Sequence, residues 1–180
     1  MSSEGPPFSP AYPTVESLRA LANMWNASPS MQHFGARLEF ERVDRVRAVI
    51  DPVLPVHRGG MGTEAVNGVV LAGLFDLVIG TVGWLTRPDT RSATVNLAMS
   101  FFRPTRGERI AAEARLVRGG MNLIFASAEI FDGDGRVSAL LRRHVRHRAR
   151  QGGRPGDLRE DARRRRGAVA RASEEHISES

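Results

Sequence analysis

The sequence predicts an α+β domain in which an antiparallel sheet is wrapped around a central apolar helix. Residues 68–85 are almost wholly apolar, contain no proline and follow Asn67, a favoured N-cap residue, which is typical of a buried helix. Strand-like segments separated by glycine and proline turns come after it, as in a meander of long antiparallel strands. A chain of 180 residues with 41% apolar residues suits one domain with a core plus tails.

The first part of the chain is predicted to hold another helix and a pair of strands. Residues 1–13 are rich in proline and serine, and we interpret them as a flexible arm. A helix is predicted from the N-cap Thr14 to a point before Pro29. Its apolar residues recur at helical spacing: Leu18, Leu21, Ala22 and Trp25. Two strands are predicted over 36–43 and 46–53.

The second part is predicted to form the rest of the sheet and a tail. The predicted strands are 93–103, 108–118, 121–132 and 136–147, with turns at Gly119-Gly120 and Gly133-Asp134-Gly135. The domain is therefore expected to cover residues 14–147. Residues 148–180 are charged and poor in large apolar side chains, so we expect a basic, disordered tail.

Composition excludes several classes of site and partner. The chain has no cysteine, which removes disulfides, cysteine-ligated zinc, iron–sulfur clusters and a thiol nucleophile. The net charge is +6, but acidic residues interleave the arginines of the tail, so nucleic-acid binding is not favoured. The N-terminus lacks the features of a secretory signal, and the apolar helix is interpreted as too short and too interrupted to span a bilayer. We expect a cytoplasmic protein without membrane contact.

Asp76 is the one carboxylate of the apolar helix, and it needs an explanation. An ionised carboxylate out of water is costly unless it is paired or hydrogen-bonded. Gly68 opens the same helix, and the unpaired amides of a first helical turn can hold an oxygen that becomes negative. A carboxylate can act on the same carbon as nucleophile or base. The combination suits acyl transfer.

Gly68 and Asp76 are too far apart for one chain to use both on one carbonyl. Eight residues correspond to about 12 Å along a helix, at about 1.5 Å per residue. Two such helices lying antiparallel across a two-fold axis would bring the amide end of one to the acid of the other. We therefore expect a site shared by two copies of the chain.

The segment NGVVLAGLFD, residues 67–76, resembles the HGGxLAxLxD motif of the hot-dog-fold acyl-CoA thioesterases of the phenylacetate-pathway (PaaI-like) type. The resemblance extends over about residues 33–147 and includes the order of the strands. It implies the hot-dog fold, with Gly68 at the glycine whose amide binds the thioester oxygen and Asp76 at the catalytic acid. It also implies hydrolysis of acyl-CoA to free acid and CoA by a homodimer or dimer of dimers. No metal or cofactor is implied, since CoA is part of the substrate.

Two residues depart from the motif. Asn67 replaces the usual histidine and is expected to cap the helix and to assist catalysis, because its amide can still donate a hydrogen bond. Val69 replaces the second glycine and would contact the substrate. His57 and Glu64, in the preceding glycine-rich loop, are candidates to take over part of the missing histidine's role.

Other positions are candidates for binding or for orienting water. A hydroxyl often found one helical turn beyond the acid would fall at Gly80, and the nearest hydroxyl is Thr81. Arg103 and Arg118 lie at strand ends or turns, where they could hold the phosphates of CoA. Met99 and Phe101 share one face of a strand while Ser100 and Phe102 share the other, and one of these faces is expected to line the acyl pocket.

Three other functions stay open beside the thioesterase. A non-catalytic acyl-CoA binder or sensor is supported by the departures at Asn67 and Val69. A hydratase is less favoured, because no histidine follows Asp76 before His144. Nucleic-acid association through the arginine-rich tail would be independent of nucleotide sequence and would weaken steeply with salt. The acyl group and the choice between dimer and tetramer stay undetermined.

Overall fold

The computed structural model describes residues 14–59, 63–88, 91–120 and 123–148. These residues contain three α-helices, one short 3₁₀ helix (Pro55–His57) and seven β-strands. The helices are α1 (Val15–Asn26), α2 (Pro29–Phe34) and α3 (Gly68–Thr86). The strands are β1 (Ala36–Glu39), β2 (Val46–Ile50), β3 (Arg91–Thr94), β4 (Ala98–Phe101), β5 (Ile110–Gly119), β6 (Leu123–Phe131) and β7 (Val137–Arg148). The predicted arm, and the predicted tail beyond residue 148, lie outside the described residues.

All seven strands join one antiparallel sheet. The order is β1-β2-β5-β6-β7, and β3 and β4 pair one after the other along the outer side of β7. The predicted strand 93–103 is therefore two short strands separated by residues 95–97. The first predicted pair is also shorter than expected, since β1 ends at Glu39 and β2 ends at Ile50, two residues before Pro52. Proline has no amide to donate to the ladder, which limits β2 at this point.

Helix α3 packs against the sheet and confirms the predicted central helix. Its large buried residues are Leu71, Leu74, Phe75, Val78, Ile79, Val82 and Leu85. Each such side chain contributes about 1.5–3 kcal/mol through removal of apolar surface from water. The central strands contribute small buried residues, which allow the helix to approach closely: Ala48, Ala112, Ala114, Ala126 and Ala128.

Helix α3 is the single helix among the described residues that is long enough and apolar enough to cross a membrane. It has 19 residues and a mean hydropathy of 1.9. The expectation that it is too short and too interrupted was wrong on length and composition. What distinguishes α3 is its packing, because the sheet covers one of its faces and buries more than half of the helix. A core helix and a membrane span share the same composition, so only tertiary contacts separate them.

The region before the sheet holds one predicted helix and one unpredicted helix. Helix α1 begins after the N-cap Thr14, whose side chain forms a capping box with Ser17, and this confirms the predicted start. Helix α2 was not predicted. Pro29 ends α1 but also occupies the first position of α2, where its fixed φ suits a helix. Gly35 ends α2 with a φ of +69°, a conformation that glycine adopts without strain.

The two edges of the sheet differ. Along β1, the side-chain amide of Asn26 donates to Leu38 O at 3.0 Å and accepts from Leu38 N at 2.8 Å. Arg19 Nε, also on α1, donates to Phe40 O at 3.0 Å. These contacts satisfy backbone groups that an edge strand leaves unpaired. The opposite edge, formed by β3 and β4, carries exposed residues along most of its length.

Candidate active site

Asp76 lies midway along α3, on the face that the sheet leaves exposed. Thr94, the last residue of β3, donates a hydrogen bond from its hydroxyl to Asp76 Oδ1 at 2.6 Å. The carboxylate is thus exposed in the single chain, and the interpretation that it is buried among apolar residues does not hold there. The apolar neighbours of Asp76 in the sequence point to the sheet, while Asp76 points to the edge formed by β3.

Gly68 provides the first amide of α3. The side chain of Asn67 accepts a hydrogen bond from Val69 N at 2.9 Å, so Asn67 is the N-cap, as expected. The amides of a first helical turn have no partner inside the helix, and the Gly68 amide is one of these donors. A Cβ placed on Gly68 would meet no atom within 4 Å, and the residue is exposed. The N-terminus of α3, which we call its amide end, is therefore open to a ligand.

A groove of about 410 Å³ lies beside this helix end. Its lining residues are Val66, Gly68, Leu71, Phe101, Phe102, Arg103, Pro104 and Thr105. Both aromatic rings reach the groove, because the chain leaves the regular strand β4 at Phe101. Consecutive residues thus line this groove, and the expectation that one strand face lines the acyl pocket stays a prediction. Arg103 lies exposed at the same groove, as a candidate contact for an anionic group.

Several candidate residues lie elsewhere. His57 is buried, its Nδ1 accepts from Leu54 N at 3.0 Å, and its ring packs against Gly35. Glu64 is exposed, and its carbonyl oxygen accepts from Arg58 Nη1 at 2.9 Å. Neither residue is among those that line the groove. The loop histidine therefore packs inside the protein, where its backbone and ring organise the segment before α3.

Arg118 and Thr81 are also separate from the groove. Arg118 is exposed near the end of β5, in register with Phe125 of β6. Thr81 is buried and donates its hydroxyl to Leu77 O at 2.8 Å, within α3 itself. The hydroxyl that accompanies Asp76 is Thr94 instead. The sequence carried no local signal for this, since the two residues are 18 positions apart and on different elements.

The exposed face of α3 carries the three exposed residues of this helix, Gly68, Val69 and Asp76. Gly68 and Asp76 lie at two points along it, about 12 Å apart at about 1.5 Å per residue. A Cβ on Gly80 would likewise meet no atom within 4 Å. Within the described residues, no three His, Asp or Glu side chains come together as a metal site. The site thus offers an amide end, a hydrogen-bonded carboxylate and an aromatic groove.

Parts of this chain resemble known proteins in sequence. A family model described as "Thioesterase superfamily" matches residues 64–139. The medium/long-chain acyl-CoA thioesterase YigI of Salmonella typhimurium is 29% identical over 112 residues, covering 54% of this chain and 72% of that protein. YigI of Escherichia coli K12 is 30% identical over 90 residues, covering 42% of this chain and 58% of that protein. The match to the latter thus spans less than two thirds of its length.

Solved structures resemble the fold over most of this chain. A thioesterase from Haemophilus influenzae matches with a TM-score of 0.65 and 18% identity, covering 78% of this chain and 94% of that chain. The E. coli PaaI protein from the phenylacetic acid degradation operon matches with a TM-score of 0.63 and 14% identity, covering 73% and 93%. At these identities the likeness concerns the fold, and it confirms the predicted sheet around a central helix.

Proposed function

We propose that this chain, a thioester hydrolase of the thioesterase superfamily with the hot-dog fold, hydrolyses acyl-CoA to a free acid and CoA. The observation that carries the proposal is the Asp76 carboxylate, held by the Thr94 hydroxyl on the exposed face of α3. A carboxylate with a fixed orientation is suited to acyl transfer when the open N-terminus of a second copy of α3 supplies the amide.

The chemistry assigns one role to each group. The thioester oxygen lies against the Gly68 amide, which stabilises the negative charge that develops on it. Asp76 either attacks the thioester carbon or takes a proton from the water that attacks it, and the bond to sulfur then breaks. In the first case a mixed anhydride of Asp76 and the acyl group forms, and water hydrolyses it to the free acid. CoA leaves as a thiolate, and Thr94 keeps the carboxylate in one orientation. Asn67 fixes the helix end through its cap. The reaction requires no metal or redox cofactor.

The distance between Gly68 and Asp76 supports a site built from two chains. About 12 Å along α3 is too long for one carbonyl to contact both. The exposed face of α3 lies beside the open edge of β3, as the Thr94 contact demonstrates, whereas Asn26 closes the other edge at β1. Pairing of two copies at the open edge would bring the amide end of one α3 to the acid of the other.

The groove supports an apolar acyl group as substrate. Phe101 and Phe102 give it an aromatic wall, and Arg103 supplies one cation for the phosphates of CoA. The YigI relatives are medium/long-chain thioesterases, and an aliphatic chain of that class is compatible with the apolar lining of the groove. Val69 is 78% exposed beside Gly68 and would contact the same substrate. We also propose that the protein is cytoplasmic.

A non-catalytic acyl-CoA binder is the second candidate. The observation in its favour is that Val69, a branched side chain, stands beside the Gly68 amide where the family motif has a second glycine. Such a protein would use the same groove and amide end without turnover.

The test is a thiol-release assay on purified protein with aromatic, short-chain and long-chain acyl-CoA thioesters, beside Asp76→Asn. We expect turnover that is highest on medium or long chains and falls at least about 100-fold in the variant, as expected for a lost acid–base group. Binding of thioesters without any thiol release across the panel would refute the thioesterase function and favour the non-catalytic acyl-CoA binder. Undiminished activity of Asp76→Asn would refute the assignment of Asp76.

A further inference from the structure

The position of the Gly68 amide is set by the segment immediately before α3. This segment is held from two sides by backbone hydrogen bonds. On one side Asn67 N donates to His57 O at 2.9 Å, and on the other Val66 N donates to Thr105 O at 2.8 Å. A shift of either support would therefore move the start of the helix.

The support at Thr105 is itself fixed by a chain of buried hydroxyls. Thr105 Oγ1 and Ser138 Oγ are 2.7 Å apart, and the two residues are 1% and 0% exposed. Ser138 Oγ also lies within hydrogen-bond distance of Ile130 O, at 3.3 Å. The hydroxyl contacts thus run from Thr105 through Ser138 to strand β6.

The backbone of Ser138 holds the same stretch of chain at its other end. Its carbonyl oxygen accepts from Phe102 N at 2.9 Å and from Arg103 N at 3.4 Å. Residues 102–105 form one wall of the groove. The hydroxyl and the carbonyl of Ser138 therefore fasten this wall to β7 at two points.

We propose that Thr105 and Ser138 are positioning residues, which hold the groove wall and, through Val66, the Gly68 amide in the place that catalysis needs. This inference rests on the proposed thioesterase function. Thr105 lines the groove, but its hydroxyl is directed into the interior, to Ser138. Buried hydroxyls are costly unless they are hydrogen-bonded, and a bonded pair fixes its neighbours more narrowly than apolar packing does. Misplacement by about 1 Å can cost about 100-fold in rate.

The variants Thr105→Val and Ser138→Ala each remove one hydroxyl of the pair. The variant Thr105→Ser keeps the hydroxyl at position 105. Thr81→Val is the matched control, because Thr81 is also a buried, hydrogen-bonded threonine, 3% exposed, but bonds within α3 and lies outside the groove lining. We expect Thr105→Val to lower kcat about 10- to 100-fold with KM changed less than about 3-fold. Thr105→Ser should recover most of kcat, and Thr81→Val should keep it.

Hydrogen exchange tests these supports of the segment before α3, here called the tether, without relying on turnover. The amides of Val66 and Asn67 should exchange at least about 10-fold faster in Thr105→Val than in wild type, and at the wild-type rate in Thr81→Val. If Thr105→Val does not fold, Ser138→Ala is measured in its place. A wild type with no thioesterase activity would refute the proposed function, and exchange would still test the tether. Unchanged exchange in the hydroxyl variants, or an equal loss of kcat in Thr81→Val, would overturn the positioning role.

Discussion

The hydroxyl of Thr94 donates to Asp76 Oδ1 across 2.6 Å, and this contact joins the edge strand β3 to the exposed face of α3. Short hydrogen bonds from a hydroxyl to a carboxylate are among the stronger ones in proteins. The contact restricts the rotation of the Asp76 side chain at an exposed position. It therefore places the acid in one orientation before substrate arrives.

Replacement of Thr94 by valine should lower kcat about 10- to 100-fold, because the carboxylate loses a short hydrogen bond that orients it. Thr94→Ser keeps the hydroxyl and should retain most of the activity. Thr94→Val should lower the free energy of unfolding by no more than about 1–2 kcal/mol, because the lost hydrogen bond is exposed, and Thr94→Ser should change it by less than about 0.5 kcal/mol. Steady-state kinetics with thermal melts measure both effects. Equal activity of the valine and serine variants would contradict the orienting role.

Replacement of Gly68 by proline tests the amide directly. Proline removes the amide hydrogen but is favoured at the first position of a helix, and Asn67 already has φ −63° and ψ 137°, which a following proline accepts. We expect kcat to fall about 100- to 1000-fold, as for loss of one oxyanion donor. Gly68→Ala is the control, because it keeps the amide and its Cβ meets open space in the single chain. A proline variant as active as the alanine variant would exclude the amide from catalysis.

Phe102 should determine the preference for acyl length. It is 59% exposed in the groove wall, and Phe102→Ala removes apolar contact that only a longer acyl chain can use. We expect kcat/KM to fall about 10-fold on long-chain thioesters and less than about 2-fold on short ones. Val117→Ala is the control, since Val117 is 63% exposed on β5 outside the groove lining. A uniform loss over all chain lengths would place Phe102 in folding or assembly instead.

Asn26 should protect the β1 edge from pairing. Asn26→Ala leaves the amide and carbonyl of Leu38 without their side-chain partner, which should cost about 1–3 kcal/mol of unfolding free energy. It should also expose an edge on which another strand can add, so larger assemblies should appear. Denaturant unfolding and sedimentation measure the two effects. Asn23→Ala, at an exposed position of the same helix, is the control and should change neither.

The sequence allowed α3 to be predicted almost to the residue, because its apolar run and its N-cap are local signals. The start of α1 was predictable for the same reason. Helix α2 was missed because Pro29 was interpreted as an end, while a proline also suits the first helical position. The break at residues 95–97 was missed because polar and apolar residues alternate through it as they do in one strand. The pairing with β7, which stops at Thr94 and resumes at Ala98, is what shows two strands.

The site was predictable only where it follows the chain locally. Gly68 and Asp76 lie on one helix, so their spacing and their separation followed from the sequence. Thr94 contacts Asp76 from another element, and a contact between residues 18 positions apart produces no periodic pattern in the sequence. His57 was a candidate to take over part of the missing histidine's role because it precedes α3 in a glycine-rich loop. Its ring packs inward against Gly35, which depends on the tertiary fold. Such contacts required the structure.

The central claim is that the amide and the acid of one active site come from two chains. It is tested most directly on a purified heterodimer with Asp76→Asn in one chain and Gly68→Pro in its partner. Each parent homodimer should lose at least about 100-fold in thiol release. The heterodimer holds one intact pair and one doubly defective pair, so it should recover about half of the wild-type activity. A heterodimer as inactive as its parents would contradict the shared site, since each chain would then need its own Gly68 and Asp76.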